Sequence, residues 1–162
     1  MTQATATAER ALHVGMGESA AVRAPASLTS VLGSCIGVAL YHPRHRVGAL
    51  AHVVLPDSAG RAGTPGKFAD TAIPHLLELL RAAGAPAAGL VAKIAGGASM
   101  FSSGGPLQVG ESNVQAVLRA LQAARIAVAA QHVGGNKGRR VHLDANTGTL
   151  TVEVVGCPAS LL

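Results

Sequence analysis

The chain has 162 residues, carries a formal net charge of +5, and is 49% apolar but only 2% aromatic. This length is that of one ordinary domain whose core needs no metal or disulfide staple, and so few aromatic rings argue against nucleic-acid binding by base stacking. Two cysteines, no secretory signal and no run of about twenty apolar residues predict a reduced, soluble, cytoplasmic protein without a membrane span.

The first third of the chain predicts a tail followed by a β-hairpin. Residues 1–10 are rich in Ala and Thr and lack an apolar pattern, so we expect a flexible N-terminal tail ahead of a single domain over 11–162. An apolar segment at 28–32 leads into Gly-Ser-Cys. Two β-prone runs, 36–41 and 47–55, flank a short polar turn that contains proline, which is the pattern of a hairpin.

The rest of the chain predicts two helices and four more strands. From Phe68, apolar residues recur at helical spacing, with Asp70 as the expected N-cap and Gly84 at the end. A second amphipathic pattern covers 112–125 and follows a Gly-rich loop at 95–110. Short apolar runs predict the strands, at 90–94, 126–133, 140–143 and 149–155.

The predicted order of elements is β-β-α-β-α-β-β-β. Strands outnumber helices and hairpins bracket them, which favours an α+β fold with mixed or antiparallel sheets and helices on the outer faces. The apolar residues are mostly Ala, Val and Leu, whose small side chains suit close packing of such layers.

Cys35 is the candidate nucleophile. It follows Gly33, which lets the backbone turn tightly and approach a bound group. The consecutive N–H groups of Ser34 and Cys35 would then face a developing oxyanion, and the thiol would attack a carbonyl carbon once a base removes its proton. A small buried cysteine is more often a packed core residue, so the residues alone leave both interpretations open.

His52 is the candidate base among seven histidines. It lies in an otherwise apolar run, one strand length past the polar turn. If 36–41 pair with 47–55, the hairpin returns His52 to the level of Cys35. The alternative is a core histidine with satisfied hydrogen bonds. No Cys or His pair has the spacing of a structural zinc site, so we expect no metal.

Six motifs in a fixed order resemble the chemoreceptor glutamine deamidases, the CheD family, from about residue 12 to residue 156. Each motif alone is weak, and their combination is specific. They are LGSC at 32–35, Gly48 with AHVVLP at 51–56, ADTAIP at 69–74, KIAGGA at 93–98, GESN at 110–113, and GG at 134–135 followed by GRR at 138–140.

The resemblance implies a Cys-His-Thr site without a cofactor. The family's nucleophile falls on Cys35, its histidine on His52, and its threonine, six residues before the cysteine, on Thr29. It also implies a fold similar to bacterial toxin deamidases, in which two sheets pack face to face with helices on the outer faces, as α/β/β/α layers. The implied activity is protein-glutamine deamidation: specific chemoreceptor glutamines become glutamates, with release of ammonia, in chemotaxis adaptation.

The resemblance further implies two protein partners. The substrates are cytoplasmic helices of methyl-accepting chemotaxis proteins, and the second partner is a phosphatase of the CheC type. A net charge of +5 favours acidic partners. The Gly-rich loop with the apolar residues Met100 and Phe101 is the candidate rim for the substrate.

The sequence leaves two other functions open. The chain would be a non-catalytic adaptor if its task were only to bind and stimulate the phosphatase, and Cys35 would then be dispensable. A basic nucleic-acid binder would show affinity that falls steeply with salt. We expect no such binding, because the basic residues are scattered along the chain.

Overall fold

The structure is a computed structural model that describes residues 11–100 and 109–162. The predicted tail at 1–10 and Phe101 of the predicted rim lie outside the described residues. In chain order, the described elements are β1 (Ala11–His13), β2 (Ser19–Arg23), β3 (Ser27–Leu32), β4 (Ile36–His42), β5 (Val47–Val53), a 3-10 turn (Pro65–Lys67), α1 (Ala69–Ala82), β6 (Val91–Gly96), α2 (Val109–Ala123), β7 (Ala127–Val133), β8 (Arg139–Asp144), β9 (Leu150–Glu153) and β10 (Ser160–Leu161).

The described strands form two five-stranded sheets. The first sheet has the order β1-β3-β8-β9-β10, and the second has the order β2-β5-β4-β6-β7. Both sheets are mixed, because β1 runs parallel to β3 and β6 runs parallel to β7 while the other neighbours are antiparallel. The predicted pairing of 36–41 with 47–55 is confirmed as the antiparallel β4–β5 hairpin.

Side chains of the second sheet alternate between two hydrophobic clusters. In β4, Val38 belongs to the cluster under the helices, whereas Ala39 belongs to the cluster between the sheets. The sheets approach closely: a Cβ atom on Gly37 would lie 2.9 Å from Cδ1 of Leu32 in the facing sheet. A side chain at this position would require the Leu32 side chain to shift, and the contact shows that small residues let the two layers pack closely.

Both described helices pack on the outer face of the second sheet. Buried residues of α1 and α2, such as Leu76 and Val117, share one cluster with β4, β5 and β6. The prediction of an α+β fold with two mixed sheets face to face is confirmed. The predicted four-layer order is not seen among the described residues, where the layers run α/β/β and no described helix covers the first sheet.

Several predicted boundaries shift, and four strands, β1, β2, β3 and β10, are missing from the predicted order. Helix α1 has Phe68 as its N-cap, and Asp70 instead accepts hydrogen bonds from the N–H and hydroxyl of Ser58, so the predicted cap was wrong. Three of these strands, β1, β2 and β10, contain five residues or fewer and lie at sheet edges. Their pairing comes from tertiary context rather than from an apolar pattern.

No helix in the described part of the chain is long and apolar enough to span a membrane.

Candidate active site

The Gly-Ser-Cys segment connects the two sheets. Leu32 is the last residue of β3 in the first sheet, and Ile36 is the first residue of β4 in the second sheet. Residues 33–35 therefore cross from one layer to the other at one end of the sandwich. The Cys35 side chain is 9% exposed and packs with the cluster between the sheets.

Hydrogen bonds to its backbone carbonyl groups hold this crossover in place. Each of its three carbonyl oxygens accepts one bond: from Ala98 N to Gly33 at 3.0 Å, from Asn113 Nδ2 to Ser34 at 3.2 Å, and from Gly97 N to Cys35 at 2.9 Å. By contrast, the N–H groups of Ser34 and Cys35 have no hydrogen-bond acceptor within residues 11–100 and 109–162. The carbonyl groups of the crossover are thus held by hydrogen bonds, whereas two N–H groups beside the thiol are unpaired in the described part of the chain.

Gly96 makes this arrangement sterically feasible. Its φ is +112°, in the region that favours glycine, and a Cβ atom there would lie 2.1 Å from the carbonyl oxygen of Cys35. Strand β6 ends at this residue, so the next N–H, of Gly97, can turn toward the Cys35 carbonyl. The Gly-Gly pair of the KIAGGA motif therefore supports the backbone of the crossover.

The β4–β5 hairpin determines where His52 lies. His52 pairs in register with Gly37, two residues after Cys35, and it is 4% exposed. Opposed residues of an antiparallel pair project to the same face, and diagonal neighbours remain within reach of long side chains. The imidazole lies on the inner face, where its Nδ1 contacts Ser30 of the first sheet. The fold thus brings Cys35 and His52 to neighbouring positions between the sheets.

The neighbours of His52 specify its tautomer. Oγ of Ser30 lies 2.6 Å from the carbonyl oxygen of Val14, and this contact requires the hydroxyl proton between the two oxygens. Oγ can then only accept at its 2.9 Å contact with His52 Nδ1, and the Val14 carbonyl, 3.4 Å from Nδ1, is also an acceptor. Nδ1 therefore carries the hydrogen, which leaves Nε2 of the neutral ring as a proton acceptor.

Burial keeps both candidate groups uncharged. It lowers the pKa of His52 below its ordinary 6.5, and the hydrogen bond to the Val14 carbonyl opposes this only in part. It also raises the pKa of the Cys35 thiol above its ordinary 9.0. Near neutral pH both shifts favour an uncharged group, a thiol at Cys35 and a neutral imidazole at His52.

Thr29 does not contact His52 in this structure. It pairs in register with His142, whereas Ser30 pairs with the buried Val141 of the intersheet cluster. Because strand side chains alternate, Thr29 projects to the opposite face from Ser30. The hydroxyl at the imidazole therefore belongs to Ser30, which the sequence reasoning missed. Its period-2 position between the inward-facing Leu28 and Leu32 was the available signal.

The rim residue Met100 and the second cysteine differ from these buried groups in being exposed. Met100 is 49% exposed and lies over the crossover, since a Cβ atom on Gly33 would be 3.6 Å from its Cγ. Cys157 is exposed. Among the described residues, no group of three or more His, Cys, Asp and Glu side chains is placed to hold a metal ion.

Comparison with known proteins gives one consistent result. Residues 54–154 match the family model described as CheD, chemotactic sensory transduction. The chain is 46% identical over 144 residues to the chemoreceptor glutamine deamidase CheD of Thermotoga maritima, covering 88% of this chain and 91% of that protein. It is also similar to probable chemoreceptor glutamine deamidases CheD of Clostridium botulinum (45% identity; 90% and 93% covered) and Moorella thermoacetica (41%; 93% and 95%). The family-model match begins after His52, so the roles of Cys35 and His52 depend on their geometry.

Proposed function

The chain belongs to the CheD family, and from that membership we propose that it is a cysteine-dependent protein-glutamine deamidase acting on chemoreceptors in chemotaxis adaptation. The proposed substrates are glutamine side chains on the cytoplasmic helices of the receptors, and an enzyme acting on them would work in the cytoplasm. The cysteine mechanism is supported by the backbone register, which places His52 opposite Gly37, two residues after Cys35, and by the N–H groups of Ser34 and Cys35, which have no acceptor among the described residues.

The first half of the reaction forms a thioester and releases ammonia. Nε2 of His52 takes the proton of the Cys35 thiol as Sγ attacks the carboxamide carbon of the glutamine. The N–H groups of Ser34 and Cys35 stabilise the oxyanion of the tetrahedral intermediate. The imidazolium returns its proton to the amide nitrogen, the carbon–nitrogen bond breaks, and ammonia leaves the γ-glutamyl thioester.

The second half hydrolyses the thioester. Nε2 of His52 accepts a proton from water as the water oxygen attacks the thioester carbon, and the same N–H groups stabilise the second oxyanion. The carbon–sulfur bond then breaks, Sγ recovers a proton, and the product is a glutamate side chain. No step requires a metal or an organic cofactor, because the thiol supplies the nucleophile and the histidine transfers every proton.

We assign the orienting role to Ser30 rather than to Thr29. The histidine becomes positively charged during the reaction, and a hydrogen bond from Nδ1 to Oγ stabilises that charge and fixes the ring. Oγ is itself held by the Val14 carbonyl. The side chain of Thr29, on the other face of β3, is assigned no contact with the reacting groups.

The substrate reaches the thiol across the exposed end of the sandwich. Met100 lies over Gly33 and offers an exposed apolar surface beside the crossover, so we propose that it contacts the receptor helix near the target glutamine. A phosphatase of the CheC type stays a predicted partner. Its binding would use a surface that survives loss of the thiol.

The deciding experiment measures ammonia release and intact mass of a receptor cytoplasmic fragment incubated with the protein. Each deamidation replaces NH₂ with OH and adds about one mass unit to the fragment, as the acyl transfer requires. Cys35→Ala should lower the rate by more than about a thousandfold, whereas the matched variant Cys157→Ala should retain it. A Cys35→Ala protein that deamidates as fast as the wild type would eliminate the cysteine mechanism. If neither the wild type nor Cys35→Ala releases ammonia but both bind the phosphatase, the adaptor function is the correct one.

A further inference from the structure

Asn113 is a buried polar residue on an otherwise apolar helix face. It lies in the first half of α2, its side chain is 0% exposed, and its neighbours on that face include Val114 and Val117. Asparagine is a poor helix former, and a buried amide is unfavourable unless it is hydrogen-bonded. The reason for an asparagine here must therefore lie in the groups that its amide meets.

The amide of Asn113 joins two segments of the active site. Nδ2 donates to the carbonyl oxygen of Ser34 at 3.2 Å and to that of Val54 at 2.9 Å. Ser34 precedes the nucleophile, and Val54 follows His52 by two residues. Both partners are acceptors, so only the NH₂ group can face them, and both of its hydrogens are used. Oδ1 is buried without a partner among the described residues, so the side chain is retained for its donors.

The bond to Ser34 acts on the proposed oxyanion donor. The carbonyl of Ser34 and the N–H of Cys35 belong to one planar trans peptide unit and point in opposite directions. Holding this carbonyl toward α2 directs the Cys35 N–H away from the helix, and that N–H has no acceptor in the described part of the chain. A hydrogen bond on the carbonyl also polarises the peptide and strengthens its N–H as a donor.

We propose that Asn113 is a positioning residue that orients the Cys35 N–H as an oxyanion donor and couples the nucleophile crossover to the end of the histidine strand. The proposal rests on the function proposed above, in which Cys35 forms tetrahedral intermediates. Asn113 touches neither the substrate nor the thiol in this role. Its effect passes through one peptide unit, whose orientation matters only when negative charge develops on the substrate oxygen.

The test compares two reactions of the same thiol. Deamidation passes through an oxyanion, but alkylation of Cys35 by iodoacetamide is a substitution at a saturated carbon and forms none. In a Cys157→Ala background, Asn113→Ala should lower kcat by about tenfold to a hundredfold, less than the loss of a whole oxyanion donor, with KM nearly unchanged. The alkylation rate of Cys35 should stay within about twofold, because the nucleophile and its base are untouched.

Val117→Ala is the matched control, because it truncates a buried side chain one turn further along α2 without touching the crossover. It should lower the unfolding midpoint but leave both rates unchanged. If Asn113→Ala does not fold, Asn113→Ser, whose hydroxyl is too short to bridge both carbonyls, should show the same split between deamidation and alkylation.

Two results would overturn the proposal. One is an unchanged kcat in a folded Asn113 variant. The other is a parallel fall of deamidation and alkylation, which would mean that the amide holds the thiol itself or the general packing. Failure of the underlying function would appear separately, as deamidation that survives in Cys35→Ala.

Discussion

Ser30 of the first sheet and His52 of the second sheet are joined by a 2.9 Å hydrogen bond between Oγ and Nδ1. This bond crosses the interface between the two layers. The tautomer of the proposed base therefore depends on how the two sheets are packed.

Replacing Ser30 should impair catalysis, and replacing Thr29 should not. Ser30→Ala removes a hydrogen bond to a ring that becomes charged, worth roughly 1.5–3 kcal/mol, and should lower kcat about tenfold to a hundredfold. Thr29→Ala, on the opposite face of the same strand, is the matched control and should stay within about twofold. Steady-state ammonia release from a receptor fragment measures both. A greater loss in Thr29→Ala would show that the threonine orients the histidine.

The pH profile of kcat/KM should be broad. The proposed reaction needs neutral His52, whose folded-state pKa is lowered, so activity should be present above that pKa and lost as pH falls through it, at a midpoint below 6.5. The thiol proton is needed for the leaving ammonia, and the raised pKa of Cys35 places the alkaline limb above 9.0. Circular dichroism at each pH separates these limbs from unfolding. A narrow bell-shaped pH profile whose acid side falls above pH 6.5 would contradict the claim that Cys35 and His52 are both uncharged near neutral pH.

Acidification should also weaken the fold through His52. Between pH 6.5 and its lower folded-state pKa, the unfolded chain binds a proton that the folded protein does not, so the free energy of unfolding falls as pH falls through this window. His52→Gln removes this titration and should flatten that part of the stability profile. Urea unfolding of the wild type and of His52→Gln from pH 7 to pH 5 measures the difference. If the free energy of unfolding changes equally with pH in both proteins, His52 does not cause the pH dependence.

Gly96→Ala should be strongly destabilising. The new Cβ would meet the Cys35 carbonyl oxygen at 2.1 Å, and the φ of +112° is unfavourable for alanine, so we expect a loss of more than about 3 kcal/mol. Gly60→Ala is the control: its φ is +74°, but nothing lies within 4 Å, and its loss should be about 1 kcal/mol. The free energies of unfolding in urea make the comparison. Equal losses would mean that the backbone at Gly96 relaxes away from Cys35.

Met100→Ala should change substrate binding more than chemistry. The side chain is 49% exposed and lies beside Gly33, outside the hydrogen-bonded groups of the site. We expect KM for a receptor fragment to rise about tenfold, since burying one large apolar side chain in an interface contributes roughly 1.5 kcal/mol, with kcat nearly unchanged. The exposed Met16 offers a control, and Met16→Ala should leave KM unchanged. A fall in kcat alone would place Met100 in the chemistry rather than in the rim.

The sequence alone determined the local elements and the order of the site motifs. Apolar runs and helical spacing predicted the β4–β5 hairpin and both helices, because these patterns follow from the periodicity of strands and helices. The predicted hairpin also indicated that His52 lies level with Cys35, because the register of an antiparallel pair depends on the lengths of the turn and the strands. The family resemblance, carried by short motifs, pointed to deamidation.

Only the tertiary structure decided which groups meet across layers. Ser30 and His52 are in different sheets, and so are the segments that precede and follow the Cys35 crossover. The Asn113 amide reaches the crossover from a helix nearly eighty positions later in the chain. Such contacts leave no periodic signal in the sequence, because they depend on how whole layers stack. The sequence patterns did not predict the short edge strands, or the lack of a helix over the first sheet within residues 11–100 and 109–162, for the same reason.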